Sequence, residues 1–266
     1  GLRTPAHDHT ADVGGHVDRK TESDLVGERV ADDTAGDGRD RRSVGRDRVQ
    51  RSGGADRTRR HRRIHDQVRA HAVNGRAPGI FAEEAKRLDA TLIHFSTDYV
   101  FDGTRATPYP EDAPVAPLNA YGASKLAGER AIAAAGAHAL VLRTSWVYGL
   151  RGRNFLLTIQ RLAAERDELA VVADQFGVPN WSRTLAEATA RIVGAGLPAL
   201  AARGGLYHLS CTGKASWHEF AQAIVGPAPR PRIIPIATAD YPTPARRPAY
   251  GVLATTRFEA TFGFAL

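Results

Sequence analysis

The chain has 266 residues, of which 42% are hydrophobic and 24% charged, and its formal charge at pH 7 is +7. This length suits one large α/β domain or two small ones with a buried core. The single cysteine, Cys211, excludes a disulfide framework and favours a reducing, cytoplasmic location. No apolar stretch approaches the ~18 residues of a membrane span, and the start lacks the apolar region of a secretory signal. We therefore expect no membrane partner.

The positive charge comes mainly from arginine, which supplies 32 of the 36 cationic residues. Clustered arginines neutralise phosphates, so one interpretation is a nucleic-acid-binding protein. However, 29 acidic residues are interspersed with the basic ones, and no aromatic residues lie between them to stack on bases. We expect a mixed, solvated surface and no nucleic-acid partner.

Residues 1–72 differ in composition from the rest of the chain. They contain 16 Lys/Arg and 13 Asp/Glu, and they contain no Phe, Trp or Tyr. Such a segment cannot bury enough apolar surface to offset the entropy of ordering it, so we predict disorder or poor packing. Two explanations stay open: a stretch translated out of frame from a GC-rich gene, or a divergent N-terminal segment. The absence of an initiator methionine also suggests a fragment or an incomplete reading frame.

From residue 72 onward, apolar runs alternate with helical patterns. The first predicted helix spans residues 72–88, where apolar side chains recur at helical spacing: Ile80, Phe81, Ala85 and Leu88. A loop rich in proline follows the first predicted strand. The predicted strands span residues 91–95, 139–143, 206–209 and 232–236, and the later helices span residues 121–134, 155–166, 183–193 and 216–225. Strands that alternate with helices predict βαβ units and a parallel sheet.

Tyr121 and Lys125 form the most informative pair. At i and i+4 of a predicted helix, the two side chains lie on one face. A phenol with a pKa of ~10 is a poor acid at neutral pH, and a nearby ammonium group lowers that pKa. Tyr121 can then donate a proton to a carbonyl oxygen as a hydride reaches the carbon, while Lys125 holds the ribose hydroxyls of a nicotinamide cofactor. The alternative is a chance pairing.

Thr97 ends the predicted strand that precedes this helix, 24 residues before Tyr121. Ligands bind at the carboxyl ends of strands in open α/β sheets, so its hydroxyl is placed to polarise a substrate carbonyl group. The alternative is a cap of a helix or turn.

Several segments in order carry a resemblance to a known family: Phe95–Gly103, Pro117–Glu129, Arg143–Gly149, Asp174–Pro179, Tyr241–Pro248 and Phe258–Gly263. With these segments the chain resembles the dTDP-4-dehydrorhamnose reductases, which are extended short-chain dehydrogenases/reductases. The resemblance runs from about residue 72 to the C-terminus.

The resemblance implies a Rossmann-like, doubly wound parallel sheet with a small C-terminal substrate-binding lobe. Residues 73–170 would form the remaining part of the dinucleotide-binding domain, with the catalytic helix, and residues 171–266 mainly the substrate lobe. The family's opening strand and glycine-rich turn are not recognisable, since the nearest imitation, Gly36–Arg41, has an arginine where glycine or alanine is expected. We therefore expect weak dinucleotide binding and marginal stability.

The implied activity is reduction of the C4 keto group of dTDP-4-dehydro-L-rhamnose by NADPH or NADH. The product, dTDP-L-rhamnose, is a precursor of cell-envelope polysaccharide. The resemblance also allows Mg²⁺ and a homodimer, although no ligand cluster in the sequence requires a metal. Two other functions stay open: a non-catalytic, reductase-like regulatory or binding subunit, and another nucleotide-sugar epimerase or dehydratase with a tightly held NAD.

The resemblance also assigns roles to individual residues. The catalytic residues would be Thr97, Tyr121 and Lys125. Ser96 and Asn74 would join Tyr121 and Lys125 at the cofactor. The substrate would contact Asp98, Tyr99, Trp146, Arg246 and Arg247. For the aromatic residues the alternative is ordinary packing, and for the arginines it is plain surface charge.

Overall fold

The structure is a computed structural model that describes residues 67–227 and 229–266, apart from the side chain of Leu197. The prediction for residues 1–66 lies outside the described residues. Residues 67–72 were predicted to be poorly ordered with them, but residues 67–70 are α-helical and continue into a π-helical segment, His71–Arg76.

The described helices and strands follow the predicted alternation. The α-helices that follow the π-helical segment are α1 (Ala77–Arg87), α2 (Ala120–Ala135), α3 (Phe155–Glu165), α4 (Ser182–Gly194), α5 (Leu197–Ala202), α6 (Trp217–Val225) and α7 (Thr256–Phe262). The strands are β1 (Leu92–Thr97), β2 (Ala139–Thr144), β3 (Val147–Tyr148), β4 (Glu168–Val172), β5 (Phe176–Gly177), β6 (Asn180–Trp181), β7 (Gly205–His208), β8 (Ala215–Ser216) and β9 (Arg232–Ile236). Short 3₁₀ turns span Asp98–Val100 and Thr238–Asp240.

The strands β1, β2 and β7 form a parallel sheet in the order β1-β2-β7. Strand β2 lies in the middle and is buried along its whole length, as its run of apolar residues requires. The register pairs Thr97 at the end of β1 with Thr144 at the end of β2, so the carboxyl ends of both strands meet at one edge. The predicted parallel α/β sheet is confirmed.

A second parallel pair, β4 and β9, packs with helices α3 and α6. Its core includes the stacked rings of Trp146 and Trp217, together with Phe155 and Leu169. The domain boundary predicted at residue 170 lies inside β4. Among the described residues, no helix combines the length and hydrophobicity needed to span a membrane.

Helix α1 packs on α2 through small residues. Its buried positions are Pro78, Gly79, Ala82 and Ala85. Of the apolar positions that predicted this helix, only Ala85 is buried, whereas Ile80, Phe81 and Leu88 are exposed among the described residues. The close approach of the two helices needs small side chains, so the larger apolar residues face away from α2.

Helix α2 has clear signals at both ends. The side chain of Asn119 caps its N-terminus, where Oδ1 accepts a hydrogen bond from the Gly122 backbone N–H at 2.9 Å. Gly136 ends the helix in the left-handed conformation, with φ of 63°. The first turn of α2 therefore has a fixed start, which determines where Tyr121 lies.

Candidate active site

The carboxyl end of β1 meets the first turns of α2 at a junction where no side chain fits between the two backbones. A Cβ atom on Gly122 would lie 2.1 Å from the carbonyl oxygen of Tyr99. The rings of Tyr99 and Tyr121 meet edge to face, with centroids 5.8 Å apart. This packing brings Tyr121 and Lys125, on α2, to the same strand end as Thr97.

Lys125 is a buried ammonium group tied to β1. Its Nζ donates to the carbonyl oxygen of Phe95 at 2.5 Å and lies 3.1 Å from Nε2 of His94. Burial lowers its pKa from 10.5 to about 8, and the carboxylate of Glu129 opposes that shift. Lys125 therefore keeps its positive charge at pH 7.

His94 is the neutral partner of this ammonium group. Burial, and secondly the charge of Lys125, lower its pKa from 6.5 to about 4. A neutral imidazole can accept a hydrogen bond at one ring nitrogen, so Nε2 is suited to accept from Lys125. His94 and the Phe95 carbonyl together orient Nζ.

Thr97 caps the 3₁₀ turn that follows β1. Its Oγ1 accepts from the Tyr99 backbone N–H at 3.2 Å and donates to Oδ1 of Asp98 at 3.1 Å. The capping alternative is therefore confirmed, while the catalytic role of Thr97 stays a prediction. Asp98 is only 3% exposed and faces the backbone of Gly251, where a Cβ atom would lie too close to its carboxylate. Its contact with substrate also stays a prediction.

Ser96 and Asn74 both bind protein groups at this junction. The Ser96 hydroxyl donates to Oε1 of Glu129, on α2. Asn74 Nδ2 donates to the Ser124 hydroxyl at 3.2 Å, and that hydroxyl donates to the backbone carbonyl of Tyr121 at 2.8 Å. Both residues contact α2, but their predicted contacts with a cofactor stay predictions.

The residues predicted to contact substrate lie in different surroundings. Arg247 Nη1 lies 3.4 Å from the Tyr99 hydroxyl, and its buried Nε has no hydrogen-bond partner among the described residues. Arg246 is exposed, but its carbonyl oxygen accepts from Asn119 Nδ2 at 2.9 Å. Trp146 is 9% exposed and its ring stacks on that of Trp217, with centroids 3.5 Å apart. This is the ordinary packing that the sequence left open as the alternative to substrate contact. The structure thus brings Arg247 and Tyr99 together but places Trp146 in a hydrophobic cluster.

Comparison with known proteins matches this part of the chain to one family. Residues 64–266 match the family described as the RmlD substrate binding domain. The chain is 48% identical over 213 residues to the dTDP-4-dehydrorhamnose reductase of Burkholderia thailandensis, covering 76% of this chain and 72% of the relative. It is 43% identical over 207 residues to that of Escherichia coli K12, covering 74% and 68%. The chain belongs to the dTDP-4-dehydrorhamnose reductase family.

A solved structure supports the same assignment. The dTDP-4-dehydrorhamnose reductase of Bacillus anthracis, in complex with NADP, matches with a TM-score of 0.66 and 35% identity. The match covers 73% of this chain and 66% of the other, so the chain spans about two thirds of that relative's length. The Rossmann-like fold and the family resemblance predicted from sequence are confirmed, and the family match starts at residue 64 rather than near 72.

The donor set of this family member fits a nicotinamide cofactor at the end of β1. An ammonium group has three N–H donors, and Lys125 uses two of them on Phe95 and His94 within the described part of the chain. The third suits a ribose hydroxyl. Within residues 67–227 and 229–266 no group of three His, Cys, Asp or Glu side chains is placed to hold a metal ion, and the Mg²⁺ implied by the resemblance stays a prediction.

Three residues of the site were not singled out from the sequence. Asn119 stands directly before the predicted helix and has the preferred chemistry of an N-cap, which was an available signal. Glu129 follows Lys125 at i+4, so helical periodicity places it on the same face. His94 had no sequence signal, because only the tertiary packing of β1 on α2 brings it to Lys125.

Proposed function

We propose that this chain reduces the C4 keto group of dTDP-4-dehydro-L-rhamnose, with NADPH or NADH as the reductant, to give dTDP-L-rhamnose. The observation that carries the proposal is the arrangement of Thr97, Tyr121 and Lys125 at one strand end, with Lys125 held as a buried ammonium group. The activity named for the relatives supports it. We also place the reaction in the cytoplasm, which suits a chain with one cysteine.

In the proposed reaction, Tyr121 donates the proton. Its phenol gives a proton to the C4 oxygen as the carbonyl becomes an alcohol, and the ammonium charge of Lys125 favours the phenolate that remains. A nicotinamide cofactor, when bound, would supply the hydride that C4 receives. The Lys125 ammonium would hold a ribose hydroxyl of that cofactor through its third N–H, while Phe95 and His94 keep Nζ in place.

Thr97 has to change one hydrogen bond to act on substrate. In the structure its hydroxyl hydrogen points to Asp98, and to polarise the C4 carbonyl group it must donate to the substrate oxygen instead. The bond it accepts from the Tyr99 N–H does not have to break, because it uses a lone pair of the same oxygen. A rotation about one C–O bond is therefore sufficient.

Arg247 and Tyr99 are the groups we assign to the nucleotide sugar. The guanidinium of Arg247 lies beside the Tyr99 hydroxyl, and its buried Nε has no partner among the described residues. A diphosphate oxygen would satisfy that N–H and pair with the positive charge. We further assign Ser96 and Asn74 to the cofactor side of the site, and Asp98, Trp146 and Arg246 to the substrate side, as the family resemblance implies.

The test follows the nicotinamide absorbance with dTDP-4-dehydro-L-rhamnose generated in situ. Tyr121→Phe removes only the phenolic hydroxyl and should lower kcat by about 100-fold or more. Tyr207→Phe is the matched control, because the Tyr207 hydroxyl donates to the carbonyl oxygen of Arg203 and takes no part in the proposed site, and this variant should keep full activity. The proton-donor role is wrong if Tyr121→Phe turns over like the unchanged chain.

The same assay separates the alternatives. If the unchanged chain consumes neither NADPH nor NADH at any substrate concentration, the reductase function is wrong and a binding subunit is favoured. If it converts the sugar without net oxidation of a nicotinamide, an epimerase or dehydratase is favoured instead.

A further inference from the structure

Glu129 is the third residue on the helix face that carries Tyr121 and Lys125, at positions i, i+4 and i+8 of α2. Its side chain is 8% exposed and forms a buried ion pair with Arg143. Arg143 Nη2 donates to Oε2 at 2.7 Å, and Nε donates to Oε1 at 3.0 Å. Two parallel hydrogen bonds of this kind fix the plane of the carboxylate.

The carboxylate also joins α2 to the strand that ends in Thr97. Lys125 binds the carbonyl of Phe95, and Glu129 accepts from the hydroxyl of Ser96, the next residue of β1. Arg143 lies directly opposite Ser96 in the register of β1 and β2. Successive residues of β1 are therefore tied to successive turns of α2, immediately before Thr97.

The charges around Lys125 come from three elements. His94, on β1, is neutral, and Glu129, on α2, carries the negative charge that opposes the effect of burial. Arg143, on β2, lies behind Glu129 and pairs with it. Tyr121, Tyr99 and Asp98 also lie at the junction, and Arg247 contacts the Tyr99 hydroxyl.

We propose that Glu129 is a positioning residue for the reduction: its carboxylate holds β1 and α2 in register and keeps Lys125 in the ammonium form. The proposal rests on the proposed function for its kinetic consequence. The electrostatic part concerns Lys125 alone and can be measured without turnover.

The first experiment is an NMR titration of the full chain labelled at the ε-carbon of lysine. The sequence has only four lysines, so Lys125 can be assigned by the signal lost in Lys125→Arg. In Glu129→Gln we expect the pKa of Lys125 to fall, because a neutral amide no longer favours the ammonium. Glu187→Gln, which neutralises the exposed partner of Arg183, should leave Lys125 unchanged.

Glu129→Gln leaves Arg143 buried without its partner, so lower stability is expected for that reason alone. The double variant Glu129→Gln/Arg143→Gln removes both charges and serves as the second test. If the ion pair is merely structural, Lys125 in the double variant titrates as it does in the unchanged chain, and the proposal is overturned. If Glu129 acts on Lys125, the pKa of Lys125 in the double variant stays below that in the unchanged chain, although stability is regained.

The kinetic experiment measures kcat and KM against pH. We expect kcat of Glu129→Gln to fall about tenfold, with little change in KM, and the alkaline limb of the profile to move to lower pH. Glu129→Asp keeps the charge and should restore the position of that limb. A pH profile of Glu129→Gln that equals that of the unchanged chain overturns the proposal. If the unchanged chain itself does not turn over, the proposed function is contradicted, and the NMR titration alone decides the role of Glu129.

Discussion

Replacing Gly122 by alanine tests whether the contact between α2 and the turn after β1 sets the geometry of the site. The new Cβ would lie 2.1 Å from the Tyr99 carbonyl oxygen, 2.9 Å from its carbonyl carbon and 3.0 Å from Cβ of Pro117. Ordinary contact begins near 3.4 Å, so backbone atoms on both sides must separate. Two of these neighbours are rigid backbone, and a rotamer change cannot relieve the clash.

The expected cost follows from that displacement. Overpacking of this kind costs about 1–3 kcal/mol, and alanine regains up to about 1 kcal/mol as a better helix former than glycine. We expect Gly122→Ala to lower the free energy of unfolding by about 1–2 kcal/mol, measured by urea denaturation. Because Tyr121 moves with the helix, kcat should fall by up to about 100-fold, far more than the loss of stability alone would produce.

The matched control is Gly194→Ala near the end of α4. A Cβ there meets no atom within 4 Å, and the backbone is helical, so stability should be unchanged or slightly higher. Urea curves and kcat of the two variants are compared side by side. If Gly122→Ala is as stable and active as Gly194→Ala, the close approach of α2 to Tyr99 does not set the site, and the reasoning is refuted.

Two further predictions concern substrate binding and acid stability. Arg247→Gln should raise KM for the dTDP-sugar about tenfold with little change in kcat, since a charge-assisted hydrogen bond is lost. The control Arg191→Gln, on α4, should leave KM and kcat unchanged. Equal KM values in the two variants would exclude contact between Arg247 and the diphosphate. His208 is fully buried, and burial, followed by the charge of Arg143, lowers its pKa from 6.5 to about 3. Below pH 6.5 the unfolded chain binds a proton at His208 that the folded chain excludes, so the free energy of unfolding should fall by about 2 kcal/mol between pH 7 and pH 5 from this residue. His208→Gln should remove that part of the loss in urea titrations. An equal loss in His208→Gln and in the unchanged chain would contradict this prediction.

The regular elements were largely predictable from local pattern. Strand β2 begins with the apolar run Ala139–Leu142 and is buried along its whole length, and α2 has an alanine-rich sequence between Asn119 and Gly136. The two-residue strands, such as β3 and β6, were not predictable, because they exist only through pairing with distant residues. The exposure of Phe81 was also missed, since a periodic pattern shows that a face is apolar but not which partner covers it.

The candidate site was predictable where chemistry follows helical spacing. Tyr121 and Lys125 were found because i and i+4 share a helix face, and the structure places both at the end of β1. The partners of Lys125 were harder to predict: His94 lies 31 residues away in the chain, and only the folded packing joins them. Trp146 shows the opposite problem, because an aromatic residue after a strand is equally suited to a ligand pocket and to the stack on Trp217 that the structure shows.

The amide of Asn119 performs two tasks with its two ends. The oxygen caps α2, while the nitrogen donates to the carbonyl of Arg246 in the loop that carries Arg247. Aspartate, serine and threonine are also good caps, but aspartate has no hydrogen to donate and the shorter hydroxyl side chains have a single polar atom for both tasks. A substitution that looks neutral for the helix would therefore separate the loop from the start of α2, which carries Tyr121 and Lys125. The choice among capping residues at this position is set by a segment more than a hundred residues further along the chain.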